Sequence, residues 1–479
     1  MRDRPQPGRV YPVNYSWIFE NEEVNGSSSN DGDRARREFG HRERVFVHPA
    51  RVPRRHRKGV AEFGLHERSR RRAVGHRAKL QLRRIRNHGR LFRSLMRREV
   101  ISPRPDAQAK VERLGLLFHT FEDQPYWYES AAYQFEPEEI ATLEQATNTL
   151  HECCMEAVEF VIQNRAFDRL GIPEIAHETI IRAWENDPPA LYGRFDLVYD
   201  GVHPPKMLEF NADTPTSLLE AAVVQWHWLQ EMHPHADQWN WIWDALVAKW
   251  KDLKAEGFFA SGHVHFACVD WLEDLMTTAV MMDTATEAGL TTTMLTMQEI
   301  RWEHEAKVFF DKSFRQIESI FKLYPWEYML HEEFGKYALE TYDQMHWMEP
   351  IWKMVLSNKG ILPILWELFP GHENLLACYA DGPRHLTHFA KKAMLGREGS
   401  NVILQTPEGK IESEGPYADS GFVYQDYAAL PNFDGNHPIV GSWVVDGQAC
   451  GMGIRESSSR ITNDLARFVP HYFQPAKQG

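Results

Sequence analysis

Cysteine and long apolar runs are scarce in this sequence. Five cysteines occur among 479 residues, and no two of them form a CxxC pair, which argues against a disulfide framework and against a structural zinc site. No run of about 18 uncharged apolar residues is present, and the first residues, MRDRPQPGRV, lack the apolar stretch of a secretory signal. We therefore expect reduced thiols, no membrane span and a cytoplasmic protein.

Hydrophobic residues are nevertheless abundant enough for a packed protein. They make up 43% of the 479 residues. That content suffices for roughly two to four lobes of about 100–200 residues each, and it excludes a wholly disordered or fibrous protein.

Charge divides the chain into two unequal parts. Residues 1–95 contain 24 Lys and Arg against 10 Asp and Glu, whereas residues 96–479 contain 30 against 57. The first part holds one of the sixteen tryptophans and no cysteine. Because so few large apolar side chains cannot offset the entropy of ordering, we expect residues 1–95 to be a basic, disordered extension.

Three interpretations of residues 1–95 compete. Arginine-rich runs such as 51–58 and 68–72 would neutralise the phosphates of a nucleic acid. A solvated tail without a specific role would have the same composition. We favour a third interpretation, a mis-assigned start with Met96 as the true first residue, because a globular pattern begins there and arginine greatly outnumbers lysine upstream of it. Nucleic acid is then not expected as a partner.

From Met96 onward the pattern is mixed. The spacing predicts a short helix over 106–113 and a long helix over 137–163, with Pro137 in its first turn. Alternating side chains predict strands over 193–199 and 206–211, joined by a turn-rich connection. The remaining predicted elements are a helix from Thr214 to Gln230, a strand over 263–270, two strands that flank a glycine-containing loop within 390–402, and a hairpin over 441–456.

Four polar side chains share one face of the first predicted hairpin. Arg194 and Asp196 lie two residues apart in one strand, as do Glu209 and Asn211 in the other, so each pair points to one side. Carboxylate and amide oxygens suit Mg²⁺, and a nearby arginine can hold a phosphate or a carboxylate in a two-pronged contact. A charged, solvated strand face is the alternative interpretation.

Three further patterns are weaker. His263 and His265 fall on one strand face, but no third ligand stands at a zinc-like spacing, so we interpret them as core residues. Six tryptophans between residues 226 and 250 indicate helix packing rather than base stacking. A carboxylate cluster follows a predicted strand, where open α/β sheets place ligand-binding residues: Asp270, Glu273 and Asp274.

The C-terminal part carries the strongest chemical signals. Lys359 precedes an apolar segment, Lys392 precedes a glycine-containing loop, and Arg455 stands at the end of a predicted hairpin. A glycine loop can fold over polyphosphate with its backbone N–H groups while a lysine neutralises charge. Neither GxxxxGK[ST] nor a GxGxxG that follows a strand and opens a helix is present, so P-loop and Rossmann sites are excluded.

Taken in order, the segments that carry these residues resemble one family. Arg194-Phe195-Asp196, residues 208–216, 357–363 and 392–399, and Gly453-Ile454-Arg455 resemble the glutathionylspermidine synthase-like family of ATP-grasp ligases, and the likeness covers essentially residues 96–479. The resemblance implies an α+β ATP-grasp fold with a preATP-grasp-like lobe. Two lobes would clamp ATP while Mg²⁺ bridges its phosphates.

The resemblance also implies a role for each matching position. Arg194 would bind the substrate carboxylate and its phosphorylated form, and Arg455 would stabilise the phosphoryl-transfer transition state. The implied metal ligands are Asp196, Glu209 and Asn211. The implied ATP-binding residues are Lys359, Lys392, Glu398, Gly399, Gln425, Asp426, Tyr427 and Ala428. The two lysines would hold the phosphates, Glu398 and Gly399 would lie in the loop that covers them, and the last four residues would contact adenine. Thr214 and Thr216 would bind the acid substrate, but they stand where the family's bifunctional synthase has serines that touch glutathione, so the identity of the acid stays open.

The implied activity is that of an ATP- and Mg²⁺-dependent carboxylate–amine ligase that forms an amide through an acyl phosphate. Its partners would be a small-molecule or peptide carboxylate and an amine. Residues 1–95 contain no cysteine, so the cysteine amidase activity of the bifunctional synthase is not expected. The alternative is a non-catalytic nucleotide-binding protein of the same fold.

Overall fold

A computed structural model describes residues 96–475 except Glu122 and Asp464. The expectations for residues 1–95 lie outside the described residues. The described chain combines helices with both parallel and antiparallel sheets, so the predicted mixture of helix and strand is confirmed.

The helices vary from single turns to a rod of seven or more turns. The α-helices are α1 (Ala107–Glu112), α2 (Pro137–Gln163), α3 (Glu174–Asn186), α4 (Gln225–Met232), α5 (Ile242–Ala255), α6 (Leu272–Glu287), α7 (Trp326–Met329), α8 (Gly335–Glu340), α9 (Met354–Ser357) and α10 (Ile361–Leu368). A π-helical turn, Glu220–Val224, leads into α4, and 3₁₀ turns lie at Ala166–Leu170, Met297–Glu299, Tyr342–Gln344, Ile351–Lys353 and Ala418–Ser420.

The strands are short and numerous. In chain order they are β1 (Arg97–Val100), β2 (Thr120–Phe121), β3 (Gln124–Pro125), β4 (Ala131–Phe135), β5 (Tyr192–Val198), β6 (Lys206–Asn211), β7 (His263–Cys268), β8 (Thr291–Thr296), β9 (Arg301–Glu303), β10 (Val308–Phe310), β11 (Ser319–Leu323), β12 (His346–Met348), β13 (Cys378–Tyr379), β14 (Phe389–Ala393), β15 (Val402–Thr406), β16 (Gly409–Glu412), β17 (Phe422–Asp426), β18 (His437–Val445), β19 (Gln448–Ser457), β20 (Arg467–Val469) and β21 (His471–Phe473).

Two five-stranded antiparallel sheets dominate the described chain. The first sheet has the order β20-β19-β18-β5-β6, and the second has the order β13-β17-β14-β15-β16. A four-stranded parallel sheet has the order β12-β11-β7-β8. A smaller sheet has the order β1-β4-β21, in which β21 runs parallel to β4.

The long predicted helix over 137–163 is confirmed as α2 and covers one face of the first sheet. It begins in a capping box, in which the backbone N–H of Glu136 donates to Glu139 Oε2 at 2.9 Å. The hydroxyls of Thr147 in α2 and Ser442 in β18 are hydrogen-bonded at 2.7 Å, and both residues are buried. The face of the first sheet opposite α2 is therefore not covered by this helix.

The second sheet packs against the edge strand of the first. Gln425 Nε2 in β17 donates to the carbonyl of Met207 at 3.0 Å, and Lys392 Nζ in β14 donates to the carbonyl of Leu208 at 3.0 Å. Both acceptors belong to β6. Side chains of the second sheet therefore satisfy carbonyls at the edge of the first, as a buried edge requires.

The predicted helix start at Thr214 is wrong. Residues 214–217 are irregular, Ser217 has a φ of +66°, and helical structure begins at Leu218. The carbonyls of Pro215 and Thr216 accept hydrogen bonds from Tyr192 Oη at 3.2 Å and from Arg194 at 2.7 Å. Because side chains of β5 use these carbonyls, the segment stays extended over the first sheet.

Two of the three weaker sequence patterns, the tryptophans and the histidine pair, lie mostly in the core. Trp226, Trp228, Trp239, Trp243 and Trp250 are buried, which confirms helix packing. His263 and His265 are also buried, with side-chain bonds to Thr291, Arg315 and Asp311. All five cysteines, which fall within the described residues, are buried and free. Among the described helices, none has the length and apolarity that crossing a bilayer demands.

Candidate functional site

Asp196 of β5 and Glu209 of β6 are direct partners in the antiparallel ladder, as are Arg194 and Asn211. Directly opposed residues point to the same face, so the four polar side chains converge on one side of the sheet. Asn211 Nδ2 donates to Glu209 Oε1 at 3.3 Å. Two carboxylates and an amide thus stand side by side on the face opposite α2.

Two arginines meet at Asp196. Arg194 Nε donates to Asp196 Oδ1 at 2.8 Å, and Arg455, from β19, donates to Asp196 Oδ2 at 2.5 Å. Asp196 is 4% exposed. A carboxylate buried to this degree needs paired charges, and the two guanidinium groups supply them.

A glycine makes room for this cluster. Arg194 lies across Gly441 of β18, where an added Cβ would stand 3.0 Å from Arg194 Cδ. Gly441 is the direct partner of Asp196 in the ladder. A side chain at position 441 would therefore compete with Arg194 for the same space.

Two lysines approach from the side of the second sheet. Lys359 Nζ lies 2.9 Å from Glu209 Oε2 and 2.6 Å from the carbonyl of Gly396. Lys392 Nζ donates to Gln425 Oε1 at 2.7 Å and is 8% exposed. Burial lowers the pKa of Lys392 to about 8, although the charge of Glu209 opposes that shift. Burial acts to raise the pKa of Glu209, but Lys359 and Lys392 outweigh it and hold that pKa below its ordinary value.

The loop between β14 and β15, residues 394–401, contacts Lys359, because the carbonyl of Gly396 accepts a hydrogen bond from Lys359 Nζ. Glu398 and Gly399 both have positive φ angles, +51° and +69°. A Cβ added to Gly399 would stand 2.3 Å from the carbonyl oxygen of Thr462. Only glycine fits this close approach at a positive φ, so Gly399 allows the loop to lie against the backbone of Thr462.

The irregular segment 214–217 contacts both the 394–401 loop and α6. Thr214 Oγ1 accepts a hydrogen bond from Arg397 at 3.1 Å, and the Thr216 side chain is hydrogen-bonded to Glu273. Burial raises the pKa of Glu273, and the charge of Glu398 adds to that effect. Of the predicted carboxylate cluster, Glu273 therefore faces this segment, while Asp270 is exposed.

A second buried carboxyl lies behind the segment. Tyr126 Oη donates to Glu220 Oε1 at 2.7 Å and contacts Ser217 Oγ at 3.1 Å. Burial raises the pKa of Glu220 to about 7. Two carboxyls with raised pKa values, Glu220 and Glu273, thus flank residues 216–217.

The four residues that the resemblance assigns to adenine, Gln425, Asp426, Tyr427 and Ala428, differ in their contacts. The Gln425 side chain is 1% exposed and is engaged by Lys392 and Met207, so it positions the lysine. Asp426 donates its N–H to the carbonyl of Ala377 at 2.7 Å, and its carboxylate accepts the N–H of Tyr427 at 2.9 Å. These residues and Ala428 lie at the end of β17.

Sequence reasoning missed Glu220, Tyr126 and Arg397. The sequence held a signal for Glu220, because it is the one charged residue in the otherwise apolar run Leu218–Val224. A charged residue in such a run is rarely buried unless it has a partner. Tyr126 and Arg397 carry no comparable local signal. Their positions become evident only from the packing of distant segments.

The oxygen donors of β5 and β6 fit a hard divalent cation. Asp196, Glu209 and Asn211 offer carboxylate and amide oxygens on one face, which is the donor type that Mg²⁺ selects. Within the part of the chain that the structure describes, no group of three or more His, Cys, Asp and Glu stands close enough to hold a metal. Asn211, and oxygens from a substrate, would therefore have to complete such a site.

Comparison with known proteins gives consistent relatives. A family profile described as glutathionylspermidine synthase preATP-grasp matches residues 98–474. A Haemophilus influenzae protein named "Putative acid–amine ligase" is 38% identical over 387 residues, which are 78% of this chain and 98% of that protein. A trypanothione synthetase from Crithidia fasciculata is 28% identical over 65% of this chain and 52% of its own length. The bifunctional glutathionylspermidine synthetase/amidase of Escherichia coli is 26% identical over 72% of this chain and 59% of its own, so the chain spans little more than half of these two larger relatives.

Proposed function

The chain belongs to the glutathionylspermidine synthase family, and from this premise we propose that it is an ATP- and Mg²⁺-dependent ligase of the ATP-grasp fold, which joins a carboxylic acid to an amine through an acyl phosphate. The relatives named as ligases and synthetases support the formation of an amide at the expense of ATP. The proposal covers the chemical classes of the two substrates, a carboxylic acid and an amine, and the order of the two steps.

The observation that carries the proposal is an excess of positive charge at one point of an acidic protein. Arg194, Arg455, Lys359 and Lys392 gather around Asp196 and Glu209. Two further carboxyls lie near Arg194, Glu220 and Glu273, but burial raises the pKa of each and so reduces its negative charge. Residues 96–479 as a whole hold 57 acidic against 30 basic residues. A local surplus of cations with planar, two-pronged arginines is suited to a polyphosphate and a carboxylate.

In the first step a carboxylate oxygen of the acid attacks the γ-phosphorus of ATP. The bond from that phosphorus to the β-phosphate oxygen breaks, ADP leaves and an acyl phosphate forms. Phosphoryl transfer needs positioning and charge neutralisation rather than covalent help from the protein. Lys359 and Lys392 would hold the phosphates, Arg194 the acid, and Arg455 the charge that develops on the transferred group. Asp196, Glu209 and Asn211 would hold Mg²⁺, which would neutralise part of the phosphate charge.

In the second step the amine nitrogen attacks the acyl carbon, and inorganic phosphate leaves. One proton of the attacking amine leaves with the phosphate as the amide forms. Because most aliphatic amines are ammonium ions at neutral pH, another proton must be removed first so that the nitrogen can attack. Glu220 and Glu273 are candidates to accept it. Burial raises the pKa of Glu220 to about 7, which suits a base at neutral pH, and burial also raises the pKa of Glu273. The irregular segment 214–217 lies between these carboxyls and Arg194.

The test is amide formation by the full chain. ADP release with Mg-ATP would be measured against a panel of carboxylates that includes glutathione, each with and without polyamines and amino acids. Hydroxylamine added in place of the amine would trap an acyl phosphate as a hydroxamate. Release that requires both an acid and an amine, and a hydroxamate that requires the acid, would establish the ligase.

Two controls separate this proposal from a non-catalytic nucleotide-binding protein. Glu209→Ala should remove acid-stimulated ADP release, while Glu412→Ala, an exposed carboxylate of β16, should not. If ATP binds with its ordinary stoichiometry but no acid and amine pair stimulates release or gives a hydroxamate, the chain is a nucleotide-binding protein instead.

We also propose that residues 96–479 carry the whole activity. The matched family region, 98–474, supports this assignment. A protein that begins at Met96 should match the full chain in ATP use and in retention on immobilised nucleic acid. A loss of nucleic-acid retention on truncation would instead make residues 1–95 a nucleic-acid-binding arm.

A further inference from the structure

Arg397 joins the 394–401 loop to two segments that are distant in sequence. One terminal nitrogen donates to Thr214 Oγ1 at 3.1 Å, and the other donates to Glu327 Oε1 at 2.7 Å. The guanidinium also lies over the ring of Tyr328, 5.5 Å from its centroid. Thr214 belongs to the segment expected to bind the acid, while Glu327 and Tyr328 belong to α7.

The α7 end of this contact is fixed to the same segment. Asp213, directly before Thr214, accepts a hydrogen bond from the backbone N–H of Trp326 at 3.2 Å and from Lys322 Nζ at 3.0 Å. Asp213 and Lys322 are almost fully buried, at 1% and 0% exposure. A buried ion pair that also caps α7 gives Glu327 a rigid support, so Arg397 binds a fixed point rather than a mobile side chain.

The contact is itself well shielded. The side chain of Glu327 is 11% exposed and that of Arg397 is 30% exposed. Exposed ion pairs contribute little to stability, but partly buried, charge-assisted pairs with fixed geometry contribute more. Arg397 is therefore placed to decide whether the loop stays down on residues 213–217.

We propose that Arg397 is a latch, a positioning residue that holds the 394–401 loop closed over the acid-binding segment and so keeps water away from the acyl phosphate until the amine attacks. This inference rests on the proposed function. If the latch fails, water attacks the acyl phosphate in place of the amine, the bond between the acyl group and the phosphate breaks, and the acid and inorganic phosphate are released. ATP is then consumed without amide formation.

The experiment compares the ratio of ADP formed to amide formed in the wild type, Arg397→Met, Glu327→Gln and a control, Arg384→Met. Arg384 forms an exposed ion pair with Asp381 and should leave the ratio near one. Arg397→Met and Glu327→Gln should each raise the ratio of ADP to amide about 5-fold or more. The double variant should have a ratio no higher than that of Arg397→Met alone, because both substitutions remove the same contact. Arg397→Lys, which keeps one charge-assisted bond, should restore part of the coupling.

A second readout does not depend on finding the substrates. Endoproteinase Glu-C, which cleaves after glutamate, is expected to cut after Glu398 when the loop is open, and hydrogen exchange would report the amides of residues 396–400. Both should accelerate in Arg397→Met and Glu327→Gln relative to Arg384→Met, when each variant is measured well below its own melting temperature. Unchanged cleavage and exchange in both latch variants, or an unchanged product ratio, would overturn the latch. If opening accelerates but no tested acid and amine are ligated, the contact between Arg397 and the loop is supported and only the proposed ligase activity fails.

Discussion

Arg455 and Asp196 are 259 residues apart in the sequence, yet the guanidinium of one lies 2.5 Å from the carboxylate of the other. The same carboxylate binds Arg194 at 2.8 Å. Asp196 thus orients both arginines toward one side of the first sheet. Because a fixed cation loses no freedom when charge develops in a transition state, this arrangement favours electrostatic stabilisation over simple binding.

Truncation of Arg455 tests that role. Arg455→Ala should lower kcat by about 10²–10³, since loss of one preorganised charge contact has that effect, while Asp196 keeps its pair with Arg194 and the fold survives. Steady-state kinetics and thermal unfolding would measure both. Arg165→Ala, which removes a surface pair with Glu178, should leave kcat unchanged. A wild-type kcat in Arg455→Ala would reject the role.

Glu209→Ala tests the proposed metal ligand. We expect turnover to become undetectable at any Mg²⁺ concentration, because the substitution leaves Asp196 and Asn211 as the remaining protein donors. Some stability should be lost as well, since the substitution removes the ion-pair partner of Lys359, so thermal unfolding is measured beside turnover to show that the variant remains folded. Titration of Mg²⁺ at saturating ATP is the measurement. Recovery of full turnover at high Mg²⁺ would show that Glu209 only tunes affinity.

The pH dependence of ATP use tests Lys392. Burial lowers its pKa to about 8, so the ammonium form that binds phosphate prevails below that pH and is lost above it. We therefore expect kcat/KM for ATP to fall above about pH 8, toward tenfold per pH unit. Lys392→Arg should shift the fall beyond about pH 10, because the guanidinium stays protonated. Lys391→Arg, one residue away, should retain the wild-type profile, and an identical fall in Lys392→Arg would contradict the assignment.

Gly399→Ala tests the seat of the 394–401 loop. The new Cβ would stand 2.3 Å from the carbonyl oxygen of Thr462 at a φ of +69°, so the loop must move. We expect kcat/KM for ATP to fall by about tenfold or more with the fold intact. Gly435→Ala is the matched control, since Gly435 has a φ of +86° with nothing within 4 Å. It should cost about 1 kcal/mol in stability and leave activity unchanged, whereas equal activity in both variants would separate the loop from ATP binding.

Local patterns in the sequence were reliable where one element decides the outcome. The period of α2 and the alternation in β5 and β6 predicted the long helix and the shared face of Arg194, Asp196, Glu209 and Asn211, because side-chain direction follows from the period of the element. The Thr214 segment was misread, since Tyr192 and Arg194 take carbonyls that a helix would need. Tertiary contacts of that kind override local preference.

The remaining parts of the site depend on contacts between distant segments. The resemblance pointed to Lys392 and Arg455, but no spacing in the sequence places Lys392 on the carbonyl of Leu208 or Arg455 on Asp196. The assignment of Gln425 to a base stays a prediction, and no local pattern indicated that its side chain accepts a hydrogen bond from Lys392. Arg397 and Glu327 meet only because α7 is fastened to Asp213, an arrangement that neither segment signals on its own.

The parallel pairing of β21 with β4 bears on how the protein is made. Residues 471–473 lie beside residues 133–135, and β4 is the middle strand between β1 and β21. During synthesis β4 emerges early but waits for nearly the whole chain before its second neighbour arrives, and at about 5–20 residues per second that interval is tens of seconds. Over that time β4 presents an open edge of the kind that recruits chaperones and aggregates. Translation that stops before residue 471 would leave a nascent chain marked for quality control, even though every proposed phosphate and metal contact had already been synthesised.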